Sequence, residues 1–256
     1  MKRLDAGALV VLSGMFALGV GLSETALLYV RPGARLWLDI AGAILIILGL
    51  TLVVLTLRHR ATTDDDNADA DEGEHRHHVG RIGWLLLLPV VIAVAVGSNP
   101  LGSYAAGRQN ADRTLPAGEF DLEQYLNAGS FGGQAPALRV MDFVRAAYDS
   151  EDHDLLADTR VVLTGFVTED DDVSDPHHFF LTRFSIGCCA ADAIAMFVRV
   201  ELEDHHLPPA DSWVEVEGTL RRGPPPEPGS VPVPPILVAS DVREADQPNE
   251  VYEYPP

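Results

Sequence analysis

Three apolar stretches, at about 6–30, 36–57 and 82–98, occupy most of the first hundred residues. Each approaches the roughly 20 residues that a helix needs to cross the hydrocarbon core of a bilayer. The third is the shortest and contains Pro89, which a spanning helix tolerates. A cleaved signal peptide fits poorly, because the first stretch is long and a second follows after the short turn 31–35. The pattern predicts three transmembrane helices, the first two (1–57) forming an antiparallel hairpin and the third covering 82–98.

Basic residues set the expected orientation. Lys2 and Arg3 precede the first helix, and Arg58, Arg60, Arg76 and Arg81 fall between the second and third. Arg31, Arg35, Arg108 and Arg113 lie on the other side. The bias predicts a multi-pass cell-membrane protein with a cytoplasmic N-terminus and an extracytoplasmic C-terminal region. Glu24 and Asp39 fall near the outer ends of the first two stretches. An ionisable group inside a span points to function, whereas a pair at the interface would simply be neutralised by Arg31 and Arg35.

The segment 58–81 carries seven carboxylates ahead of His75, His77 and His78. Such a composition cannot bury a core, so a disordered acidic cytoplasmic loop is expected. Its imidazoles could collect a divalent metal such as zinc, or the tract could be a solvated linker.

The formal net charge is -20, and most of the acid lies beyond Asn99. A surface this negative repels phosphates and anionic headgroups, which argues against nucleic acid and leaves cations, basic partners or simple solubility; the lipid bilayer is a partner through the apolar stretches alone. After a connector over 99–136, helical spacing at 137–148 predicts one helix. Period-two alternation then predicts five strands within a domain spanning 137–246, with a tail at 247–256. Val161, Leu163, Gly165 and Val167 share a face in the first strand, and Phe180, Thr182, Phe184, Ile186 and Cys188 in the second. Met196, Val198 and Val200 follow in the third, and Val214, Val216, Gly218 and Leu220 in the fourth, with Glu215 and Glu217 facing solvent. Ile236, Val238 and Val242 are expected to mark the inner face of the fifth. Five strands with early glycines and a long loop before the last fit an OB-like barrel, with a small open sandwich as the alternative. The strands that would form its groove carry Glu201, Glu203, Glu215 and Glu217, a poor surface for single-stranded nucleic acid.

Cys188 and Cys189 are the only cysteines, so no disulfide framework exists. If the strand pattern continues through them, Cys188 faces the core and Cys189 the opposite side. They could be inert core residues, a strained vicinal disulfide, or thiolate ligands for a soft metal with Asp192 nearby. Another candidate metal set is His177, His178, His205 and His206, with Asp175 or Asp204. A hairpin turning near 190–192 would put these histidines and the cysteines at opposite ends, about 25 Å apart for eight strand residues. One mixed site within that hairpin is therefore not expected.

Several runs together carry a family resemblance: Leu163-Thr-Gly-Phe-Val167 with Gly165 and Phe166, Arg183-Phe, Cys188-Cys-Ala-Ala-Asp-Ala193, and Trp213-Val-Glu-Val-Glu-Gly218. Tyr29-Val-Arg-Pro32 and Pro100-Leu-Gly-Ser103 fit less specifically. By these the chain resembles the YcgQ-like bacterial membrane proteins, described as subunits of a two-component permease. The resemblance implies a non-enzymatic accessory subunit working beside a larger polytopic permease, with no substrate or residue roles attached. The acidic histidine loop is outside that pattern. An extracytoplasmic metal-binding or thiol-redox protein using the adjacent cysteines is the alternative expectation.

Overall fold

The computed structural model describes residues 2–63, 88, 91–92, 99–109, 120–128, 132–169, 178–202, 207–223 and 233–255. They fall into two compact units, Met1–Asn99 and Pro100–Pro256.

The first unit is built on two helices, α1 (Lys2–Leu22) and α2 (Pro32–Thr63). Within them, Leu4–Leu22 and Pro32–Arg58 are long and apolar enough to cross a membrane. The third expected span lies almost wholly outside the described residues. Pro32 opens α2 at a position where its missing N–H leaves no bond unmade. The connection is earlier and longer than the expected turn at 31–35, running over 23–31. Helix α1 stops at Leu22 and a 3-10 turn, Glu24–Leu28, follows. Arg35 closes the end of α1 by donating to the carbonyls of Gly21 (2.6 Å) and Leu22 (3.1 Å).

Glycines at seven-residue intervals explain how α1 and α2 pack. A Cβ on Gly14 would stand 2.8 Å from the Gly42 carbonyl, and one on Gly49 would stand 2.9 Å from the Gly7 carbonyl. With hydrogen at these positions the two backbones meet directly, the association mode of small-residue helix pairs in lipid. Gly21 continues the seam and faces Asp39. The outer surface keeps large apolar side chains exposed, among them Ile40, Ile44, Ile47 and Leu48.

In the second unit, short helices α3 (Ser103–Gly107) and α4 (Leu122–Ala128) precede the barrel. The single helix expected over 137–148 divides. Ala137–Leu138 form strand β1, parallel to β2 (Val161–Thr168), and α5 begins only at Val140 and runs to Tyr148. Helix α6 (Asp152–Asp158) follows. The remaining strands are β3 (His178–Ser185), β4 (Ile194–Glu201), β5 (Trp213–Leu220), β6 (Ile236–Glu244) and β7 (Tyr252–Glu253).

Strands β2, β5, β6, β4 and β3 follow one another in the sheet, and β2 pairs again with β3 to close a five-stranded barrel. The β4–β6 contact is parallel; the other four contacts of the ring are antiparallel. Strand β2 serves both of its neighbours by bending. Its residues 161–166 pair with β5 and 166–168 with β3. Gly165 sits at that bend, where a Cβ would lie 2.8 Å from the Thr182 carbonyl. Gly218 has the corresponding role against the Val238 carbonyl, beside a register shift between β5 and β6.

That shift corrects the expected inner face of β6. Glu217 pairs with Asp241 while Gly218 pairs with Ala239, so Ser240 is an extra residue. A bulge flips the alternation. Leu237 is fully buried, and Ala239 and Val242 pack on the core, while Val238 is exposed. The expected alternation in β5 holds, with Val214, Val216, Gly218 and Leu220 buried. In β3 the barrel core takes Phe179 and Leu181. Phe180, Thr182 and Phe184 are also buried, but they occupy the other face of the strand. Helices α5 and α6 add Val140, Phe143, Val144 and Leu156 to the same core, each such burial contributing about 1.5–3 kcal/mol.

Candidate functional site

The strand pattern does not continue through the cysteines. Strand β3 ends at Ser185, which pairs with Ile194, the first residue of β4, so 186–193 form the connecting turn. Ile186 is fully buried and anchors it. A 3-10 turn, Ala190–Asp192, closes its far side. Cys188 is therefore exposed and Cys189 only half-buried, which overturns the expectation that Cys188 faces the core and that the pair is buried there.

Asp192 organises this turn. Its Oδ1 accepts the amides of Gly187 (3.1 Å) and Cys189 (3.3 Å), and its Oδ2 accepts that of Cys188 (2.8 Å). Its own amide donates to the Cys189 carbonyl at 3.0 Å. The side chain thus satisfies the start of the 3-10 turn in the manner of a capping box. A side chain at Gly187 would crowd Oδ2 at 3.1 Å. The two sulfurs lie 3.7 Å apart. One ligand atom from each of Cys188, Cys189 and Asp192 falls within 4.8 Å of the others.

The electrostatics follow from these bonds. A hydrogen bond to Asp192, then one to Cys189, favours the protonated Cys188 thiol and pushes its pKa up to about 11. For Asp192, desolvation pulls upward, yet the hydrogen bonds from Cys188, Cys189 and Gly187 outweigh it and hold the carboxyl below its usual range.

The turn is pinned from outside by Gln109, which no sequence signal marked. Its Nε2 donates to the Ala193 carbonyl (2.9 Å) and its Oε1 accepts the Ala195 amide (2.8 Å). At the other end of the β3–β4 hairpin, His178 is buried and pairs in register with Glu201. His177, His205 and His206 lie outside the described residues, as do Asp175, Asp204 and the loop histidines His75, His77 and His78.

The remaining motif residues are architectural. Phe166 meets Trp213 edge-on (5.8 Å between centroids) and stacks on Phe184 (5.9 Å), which meets Tyr252 (6.5 Å). The Arg183 guanidinium lies 5.0 Å over the Trp213 ring. Arg183 also approaches Glu253 at 3.8 Å. Glu253 is deeply buried and accepts the first amides of α5, from Val140 (2.8 Å) and Met141 (2.7 Å). Desolvation raises its carboxyl above the ordinary value, against the pull of Arg183 and the two amides.

Of the two expected intramembrane acids, Glu24 is corrected. It stands in the 3-10 turn outside both apolar helices, exposed, 3.9 Å from Arg35. Asp39 does lie in α2, and its Oδ1 is buried without a hydrogen-bond partner among the described residues.

These features define a class: an apolar helical hairpin joined in sequence to a small β-barrel that carries two surface thiols beside a fixed carboxylate. Residues 141–255, from α5 through β7, match the family described as the DUF1980 C-terminal domain. No curated protein and no solved structure matches the chain.

Proposed function

We propose that this protein is a non-enzymatic accessory subunit of a membrane permease. Its helices sit in the bilayer against a polytopic transporter, and its barrel stands on the extracytoplasmic side. The glycine seam carries this reading. Helices α1 and α2 approach each other to backbone contact, which leaves no path for a solute between them. Their outer faces keep Ile40, Ile44, Ile47 and Leu48 free for lipid or for a neighbouring helix. Arg58, Arg60, Arg76 and Arg81 support a cytoplasmic placement of the end of α2 and of the segment after it. A third spanning helix at 82–98 completes the topology.

The barrel is read as OB-like. Its ring order, the parallel β4–β6 contact and the glycine at the bend of β2 support that reading. Its outward carboxylates argue against a nucleic-acid ligand. Glu217 already engages Arg160 at 3.3 Å, and Glu201 pairs with Arg221. Affinity purification from the native membrane should recover a polytopic partner. Repeated recovery of this chain alone would overturn the reading.

A second reading, a thiol-redox or metal-binding protein, is favoured by one specific observation. The Cys188 and Cys189 sulfurs are accessible, adjacent to each other and close to Asp192. The two readings are compatible, since an accessory subunit can present a binding site to its transporter.

A further inference from the structure

We propose that Cys188, Cys189 and Asp192 form an exchangeable surface site for one thiophilic d10 cation of the zinc(II) class. Two thiolates and one carboxylate oxygen hold the ion, and the fourth coordination position stays open. This deepens the second reading above and rests on it.

The sulfur separation fits a tetrahedral ion. Two sulfurs bound tetrahedrally at the usual zinc–sulfur length of ~2.3 Å lie about 3.75 Å apart. The Cys188 and Cys189 sulfurs are 3.7 Å apart. A disulfide would need them at ~2.05 Å. A linear two-thiolate ion would spread them to about 4.6 Å at the same bond length. The sulfur pair as folded has the tetrahedral spacing.

Asp192 supplies the third donor. An ionised carboxylate offers about four acceptor sites. Three are taken by the Gly187, Cys188 and Cys189 amides, which fix its orientation. One acceptor site remains on the carboxylate, beside the Cys188 thiol. A cation entering between the sulfurs displaces both thiol protons to solvent and takes over this oxygen. The charge balances as one dication for two protons. The amides then act as the outer shell that aims the ligand.

Openness follows from the donor count and the exposure. Among the described residues, no fourth His, Cys, Asp or Glu joins the group. Closed structural zinc sites use four protein ligands, whereas three-ligand sites keep a position for an exchanging group. Cys188 and Asp192 are exposed, so a donor on another molecule can reach the open position. The geometry suits capture and release more than permanent retention.

The test uses the full-length chain, reduced and metal-free, in detergent. Titration with cobalt(II) should give one ion per chain, with thiolate-to-cobalt charge-transfer absorption and tetrahedral ligand-field bands that zinc(II) then abolishes. C188S and C189S should each lower zinc affinity by about 100-fold or more, and D192N by about 10-fold or more, at least the scale of a lost outer-shell partner. H75A/H77A/H78A should leave the charge-transfer band unchanged. Thermal melts of every variant identify any that fail to fold. Absence of the band at saturating cobalt, or its persistence in C188S/C189S, would overturn the site. Unchanged affinity in a folded D192N would remove the carboxylate from it. The titration needs no partner, so its failure is distinct from failure to recover a permease.

Discussion

Gln109 serves Ala195 as an extra strand would: its carboxamide oxygen accepts the Ala195 amide at 2.8 Å while its nitrogen donates to Ala193 at 2.9 Å. The start of β4 is thereby paired on a side where the barrel offers no backbone. The cysteine turn inherits its rigidity from that contact as well as from Asp192.

Gln109→Ala should strip the buried Ala195 amide of its acceptor, at a cost of about 1–3 kcal/mol. Amide hydrogen exchange at Ala195 should accelerate well beyond exchange at Val198. Equal protection in the variant and the parent would show that the carboxamide is dispensable.

The Cys188 thiol should be sluggish at neutral pH despite its exposure. Its pKa is pushed up to about 11 by its hydrogen bonds to Asp192 and Cys189, so the nucleophilic thiolate accumulates only in strong alkali. Iodoacetamide labelling of metal-free C189S should therefore rise with pH to a midpoint above the ordinary thiol range. D192N in the same background should move that midpoint down, since it replaces the charged acceptor with a neutral one. A midpoint insensitive to D192N would show that the carboxylate does not hold the thiol proton.

Helix pairing should be sensitive at the seam and tolerant beside it. Gly14→Leu drives a side chain into the Gly42 carbonyl and should lower the detergent-solubilised melting point, as expected for overpacking of about 1–3 kcal/mol or more. Gly19→Leu meets open space and should not lower the melting point, since leucine is also the better helix former. Similar effects at both positions would contradict the backbone-contact seam.

At the barrel bend, Gly165→Ala brings a methyl group within 2.8 Å of the Thr182 carbonyl and 3.0 Å of Leu181. The two strands must part, costing about 1–3 kcal/mol. Loss of the cooperative chemical-denaturation transition in Gly165→Val, with smaller loss in the alanine variant, is the expected series.

Much of the fold was legible because it depends on local pattern. The apolar runs at 6–30 and 36–57 declare helices by composition, and Val214, Val216, Gly218 and Leu220 declare an inward face by alternation. Parity reasoning failed where the backbone broke it. Ser240 inserts one residue into β6 and moves the core from Val238 to Leu237. Strand β3 stops at Ser185, so counting onward in twos put Cys188 in a core it never enters.

The candidate site was half legible. The proximity of Cys188, Cys189 and Asp192 follows from four residues of turn, and any tight connection would bring them together. Gln109 lies 86 positions from Ala195, and Glu253 lies 113 from Val140. Nothing local announces such partners, because their roles exist only once the barrel has closed.

The Glu253–Val140 bond has a consequence for biogenesis. Helix α5 emerges early from the ribosome, but the carboxylate that caps it and the β7 strand that flanks β3 come more than a hundred residues later. Contacts this distant in sequence slow folding. Until then the end of β3 at Phe184 and Ser185 would lack its β7 partner. Translation arrested before residue 253 would leave the helix uncapped and Arg183 without its carboxylate partner.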